Sequence, residues 1–528
     1  MEKDYLKVRK IHVFGEIFIC LRGKELPEWS HQDYGPRFWT VAKVNPSKCF
    51  FVTPGLVLRT LRSLVMTNKI APFIAWMMLL PMIGTGATIT WTNGNLTGIW
   101  NDAGNWSAGI PGSGDIARFN GTSSADCLID ISVNVSGISI TSGYSGTVTQ
   151  GAGNSITIAS GNYVQAGGRF SGGNSSINFN NGTFTLSGGV FTSTSGNMSW
   201  DQNVTISGGH FRHNNGTITF DDSESRTINL PAIDTVYNFV MQTASDNKQF
   251  TLNAADTLYI ENRLTLSNGR LQTGFVFVAD SLVMNSGYDD GTASVFAVGS
   301  TSGHFLINSE RGNHSYFIDK DAANDTVFVE NPGGSTVAWG SEQSLDITRG
   351  VLHFRDSDAN LDFLNLNIRA GGHFVAPSGS ASYSGNWNNQ GGRFHHNNGS
   401  WTWDHNADRT FTSAVIDTFN VLVCSATSDN KRVTLTSGDT LAVQRRLTLS
   451  NGQFKTSTLL VIDTLEVISG YDNEAGQSDI VFVGSVTSDY LVSSNQGEFR
   501  VIIDKENATD TVHFDRSNGT SLTVGDTE

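Results

Sequence analysis

The side chains able to do chemistry in this chain are short acidic runs, a few histidines and scattered tryptophans. Asp289-Asp290 and Asp356-Ser357-Asp358 place hard carboxylate oxygens in loop-like sequence, as do Asp221-Asp222 and the series Asp319, Asp321, Asp325. Calcium takes about six to eight such oxygens. Asp289, Asp290, Asp356 and Asp358 are therefore the calcium candidates, and calcium is the one cofactor the sequence suggests. Their spacing matches neither the EF-hand nor the Gly-Asp nonapeptide, and solvated loop acids are the competing reading. His213 in FRHNNG and His395-His396 in FHHNNG raise zinc, which needs three or four convergent ligands. With no Cys or His-Glu motif beside them, they read as turn residues. Trp401 and Trp403 fall at repeated inward positions, whereas Trp387 falls outside that column and is the carbohydrate-stacking candidate. Hydrolysis of a glycoside needs two carboxylates about 5–10 Å apart. Arg355, Asp356 and Asp358 could be pictured that way, but no Ser-His-Asp set, phosphate loop or cofactor fingerprint accompanies them.

The elements that would position these groups come from two periods. The segments GGRF (167–170), GGVF (188–191), GGHF (208–211), GGHF (371–374) and GGRF (391–394) recur within each run every 20 or 21 residues. Nine residues after each Phe comes Phe179, Trp200, Phe220, Tyr383 or Trp403. Positions two apart on a strand share a face, and glycine pairs suit corners with positive φ. A unit of about 20 residues cannot close a core, but copies stacked about 4.8 Å apart align their aromatics into columns. The predicted fold is all-β, a right-handed parallel β-helix with rungs of about 20 residues. The long period is a 183-residue duplication: GGHFRHNNG (208–216) recurs as GGRFHHNNG (391–399), and RLTLSNG (263–269) as RLTLSNG (446–452). The solenoid is expected over 123–340, with the first long repeat from about 208. It is expected to continue over 341–528, with the second from about 391 either truncated at Glu528 or stopping abruptly there. A looped-out insertion is expected near 286–300 and again near 469–485. The duplication keeps its charged residues, whereas a catalytic constellation breaks symmetry.

Charge is unevenly spread. The chain sums to −15, while residues 1–65 carry eleven Lys/Arg against six Asp/Glu, leaving −20 for 66–528. An acidic body argues against nucleic acid as a partner. From Met66 the chain reads MTNKIAPFIAWMMLLPMIGTGATITW, with Lys69, an apolar stretch from Ile70 to Ile83, then small residues. That stretch falls short of the roughly 20 residues a spanning helix needs, so 66–87 reads as a secretory signal peptide rather than an anchor. Translation is then expected to start at Met66, with 1–65 an over-extended N-terminus outside the fold. No membrane contact is expected beyond that export segment. Cys127 and Cys424 are too far apart in a linear solenoid to pair.

Residues 91–119, WTNGNLTGIWNDAGNWSAGIPGSGDIARF, resemble the opening unit of large bacterial surface proteins with β-strand repeats, found in Bacteroidetes and in autotransporter-like adhesins. The resemblance implies a parallel β-helix behind a capping unit at 88–122, in which Trp91, Trp100 and Trp106 cover the first rung. It also implies a secreted or cell-surface location. The expected function is structural or adhesive without catalysis, toward an extracellular polysaccharide or other surface ligand. The alternative is a carbohydrate-active β-helix protein, a lyase, hydrolase or binding module.

Overall fold

A rung of this protein follows from its alternation of apolar and polar residues. In the strand Tyr163–Ser171, Tyr163, Gln165 and Phe170 point inward, and Gly168 bends the chain between them at φ 55°. After a short turn, Ile177–Phe179 supplies the next inward pair. The chain then repeats, and each strand pairs in parallel with its counterpart one rung on. Tyr163 aligns with Phe184 and then Val204, Phe170 with Phe191 and then Phe211, and Ile177 with Met198 and then Ile218. Phe170 and Phe191 stack at 4.8 Å between ring centres, and Phe191 and Phe211 at 5.7 Å. Each such ring contributes roughly 1.5–3 kcal/mol by leaving water.

The glycine pairs are needed at the corner. Gly189 sits at φ 77°, and a Cβ there would lie 2.4 Å from the carbonyl oxygens of both Gly167 and Gly168. Only glycine lets two backbones pass so closely with a left-handed turn.

The computed structural model describes residues 86–516 apart from 231–233, 290, 308–313, 332–335, 340–342, 357, 456, 469–470, 472–477 and 494–499, together with three strands nearer the N-terminus. The chain divides into two units, Met1–Gly84 and Thr85–Glu528. In the first, Val8–Val13, Glu16–Leu21 and Cys49–Phe51 form an antiparallel sheet. Residues 66–85, most of the predicted export segment, lie outside the described residues. The second unit is a parallel β-solenoid of about 17 turns with rungs of about 21 residues. At its start Trp91, Trp100 and Trp106 are buried, with Trp106 edge-on to both Trp91 and Trp100 and to Phe119 at 5.6 Å.

Two features were not expected. Residues 286–300 are not looped out, since Ser294–Ala297 is a strand in register with Phe275–Val278 before it and Ser315–Asp319 after it. Phe277, Phe296 and Phe317 accordingly form an outward ladder with centres 4.6 and 4.4 Å apart. Ser478–Phe482 likewise pairs in register with Ser457–Val461. The second surprise concerns the duplication. Thr217–Phe220 belongs to the long sheet that continues through Ser281–Met284, Gly303–Ile307 and Thr326–Glu330. Its 183-residue counterpart, Ser400–Trp403, belongs to a different sheet, above Val337–Trp339, Ala359–Leu361 and Ser380–Tyr383. Arg393–His395, the counterpart of the end of Val204–Arg212, joins the sheet that Thr217–Phe220 occupied. The second copy therefore sits one face further round the solenoid than the first.

Candidate functional site

Trp387 is in the core, not on the surface. It is only 1 % exposed, because it takes the column position of Val204 in the duplicate and pairs with Leu366 below and Phe411 above. Its ring lies parallel to Phe411 at 6.0 Å. Its indole N–H donates to Asp417 Oδ2 at 2.7 Å. Asp417 is also buried, and it accepts from Asn389 Nδ2 at 2.7 Å and Ser413 Oγ at 2.8 Å. Burial raises the Asp417 carboxyl above its usual range, partly offset by those three donors. A void of about 10 Å³ is lined by Trp387, Trp401, Trp403, Tyr383, Phe419 and Leu422, which is too small for a sugar. The carbohydrate-stacking assignment of Trp387 is thus corrected: its faces are spent on packing.

The calcium candidates are dispersed among backbone and ion-pair partners. Asp289 is buried and accepts from Arg270 Nε at 2.8 Å. Asp290 lies outside the described residues. Asp356 accepts from the backbone N–H of Asn331, one rung back, and Asp358 Oδ1 from that of Ser380, one rung on, at 2.8 Å. Arg355 turns to Glu330 at 2.6 Å, with its guanidinium 3.6 Å from the centre of the Phe328 ring. Arg355, Asp356 and Asp358 therefore point to three separate partners and do not converge. Among the described residues no three His, Cys, Asp or Glu side chains are grouped to hold a metal ion. Carboxylates instead satisfy turn N–H groups of neighbouring rungs: Asp126 accepts from Thr147, Asp408 from Arg432 and Asp439 from Ser413. A buried backbone donor left unpaired is costly, so this is a structural use of charge.

Three arrangements escaped the sequence. At one corner Asp201 meets Asp221 of the next rung, and its carboxyl is pushed up to about 7 by burial first and by Asp221 second. Inside the solenoid, His314 is wholly buried. Its Nε2 lies 2.6 Å from the Tyr288 hydroxyl and its Nδ1 2.9 Å from the Ala293 carbonyl. The carbonyl fixes the proton on Nδ1, leaving Nε2 to accept from Tyr288.

The third is a basic column on the outer side of one face. His304 aligns with Phe328, Phe328 with His353, His353 with Val375 and Val375 with His395. Beside it, Val351 aligns with His373 and His373 with Arg393. The inward neighbours Leu352, Phe354 and Phe374 are buried, so these basic side chains face solvent. Strands Ser344–Phe354, Asn365–Val375 and Arg393–His395 hold six basic residues and one acid, Asp346, which is taken by Arg369. A scan of each rung for a basic residue flanking the inward Leu or Phe (LHF, HFV, RFH) would have found them. No known protein family, characterised protein or solved structure matches this chain.

Proposed function

We propose that this chain is an exported structural and adhesive rod, which holds ligands along regular outer faces and does no chemistry of its own. The observation that carries this reading is where the acids and amides go. Carboxylates bind turn N–H groups of neighbouring rungs, and outer amides form ladders, with Asn386 donating to Asn365 at 3.0 Å and Asn388 to Asn367 at 2.9 Å. Such ladders give stiffness and reach without disulfides, and many weak contacts along a rod add through avidity. The likeness of residues 91–119 to bacterial surface proteins and the signal-like stretch at 66–87 support export. The test is to incubate the full chain with a panel of polysaccharides and measure both retention and chain shortening. Retention without shortening is expected; robust turnover would overturn the reading.

A further inference from the structure

The basic column stands out on a chain whose net charge is −15. On the three strands that carry it, Arg349 is engaged by Asp319 at 3.6 Å and Arg369 by Asp346. Among the described residues His353, His373, Arg393 and His395 have no carboxylate within ion-pair distance. His396 stacks on His395 at 5.7 Å and extends the cluster. The column exists because the second copy is turned by one face. That rotation sets the GGRFHH segment above the His304, Phe328 and His353 series instead of continuing the face used by GGHFRH in the first copy.

The geometry points to a linear anionic polysaccharide lying along this face. Histidines 353 and 395 lie two rungs apart, with His304 two rungs before His353 and faced by Glu330, so an anionic group repeating every ~10 Å, twice the strand spacing, meets an imidazole at both 353 and 395. Around the Gly371-Gly372 corner, Asn365–Val375 and the neighbouring strand Asn386–Gln390 carry the Asn365/Asn386 and Asn367/Asn388 amide ladders, which suit hydroxyl-rich ligands. Duplex DNA, with a charge every ~1.7 Å, would be repelled by the acidic remainder of the rod more than a sugar chain charged at most once per sugar. This inference rests on the adhesive reading and names the ligand class.

The face also carries its own pH dependence. His353 neighbours Phe328, Arg355, His373 and His395, and its imidazole is held below its usual range by burial, then by Arg355 and His395. His373 is lowered by burial, then by His395, Arg393 and His353. His396 is lowered by burial and His395, with Gln444 opposing. Glu330 faces His304 at 3.5 Å and Arg355 at 2.6 Å, which offsets charge at the column's start. An anionic ligand is therefore gripped more tightly as the solution becomes more acidic.

The experiment measures binding of the full chain to polygalacturonate, neutral dextran and duplex DNA at pH 5.5 and 7.5, at fixed salt. Polygalacturonate is expected to bind about tenfold more tightly at the lower pH, with dextran weak at both. His353→Gln, His373→Gln and His396→Gln together should flatten that dependence, and Arg393→Gln should weaken binding at both pH values. These side chains face outward, and unchanged circular dichroism and melting confirm that each variant folds. Equal retention of polygalacturonate and dextran, or DNA bound more tightly than polygalacturonate, would overturn the assignment. So would a pH dependence that survives the triple substitution. Retention of neutral glycans alone would leave the adhesive rod standing, whereas shortened polygalacturonate would refute the rod itself.

Discussion

Acid should loosen the solenoid at His314. In the fold this imidazole is enclosed between Tyr288 and the Ala293 carbonyl, and burial pushes it down to about 4. Unfolded, it titrates near 6.5, so between about pH 6.5 and 4 the unfolded chain binds the extra proton. Stability from this group is complete above pH 6.5 and is lost as pH falls toward 4. Each pH unit is worth about 1.4 kcal/mol, giving roughly 3 kcal/mol across the window. His314→Gln keeps a donor for Ala293 and an acceptor for Tyr288 but cannot be protonated. Urea unfolding of the full chain and of this variant should show the wild-type advantage shrinking by about that amount from pH 7 to pH 4. Long repeat arrays can unfold piecewise, so hydrogen exchange at the Leu271 amide, bonded to the Tyr288 hydroxyl at 3.2 Å, supplies the local readout. A stability difference that is flat with pH would refute the reasoning.

Two further outcomes follow from the structure. Asp201 holds its proton up to about 7 in the fold, so its contribution falls as pH rises from about 4 to 7, opposite in sign to His314. Because the group is only half-buried, screening reduces the effect, and Asp201→Asn should stabilise by about 1 kcal/mol at pH 8 and by nothing at pH 4, read from melting curves. Gly189→Ala should cost at least about 2 kcal/mol, since it adds left-handed strain to a Cβ contact of 2.4 Å with Gly167 and Gly168; a neutral result in urea unfolding would mean that the corner is not as described.

The inner columns were legible because Phe170, Phe191 and Phe211 recur at nearly constant spacing, and a side chain's face on a strand depends only on parity. Trp387 was misplaced because rungs differ in length and register was carried by the GGxF motif alone. Aligned through the duplication, Trp387 falls on Val204, an inward position. The acids were misread for a different reason. Asp356 and Asp358 serve N–H groups about one rung away, at Asn331 and Ser380, and nothing local to an acidic run shows that partner. Least legible was the basic column, since His353 precedes the second repeat and Arg393 lies within it. They share a face because Ser344–Phe354, an 11-residue strand spanning a corner, continues both Ser315–Asp319 and Thr326–Glu330, and Asn365–Val375 carries the column on to Arg393–His395.

Register across that shifted boundary decides whether the basic column exists, and cysteine cross-linking reads it directly. His353 and Val375 are Cα partners on adjacent rungs, within the reach of about 4.4–6.8 Å that a disulfide spans. Arg393, two rungs from His353, lies beyond it. His353→Cys with Val375→Cys should oxidise to an intramolecular disulfide in the folded chain, and His353→Cys with Arg393→Cys should not. The reverse pattern, or no cross-link in either, would contradict the stacking on which the account depends.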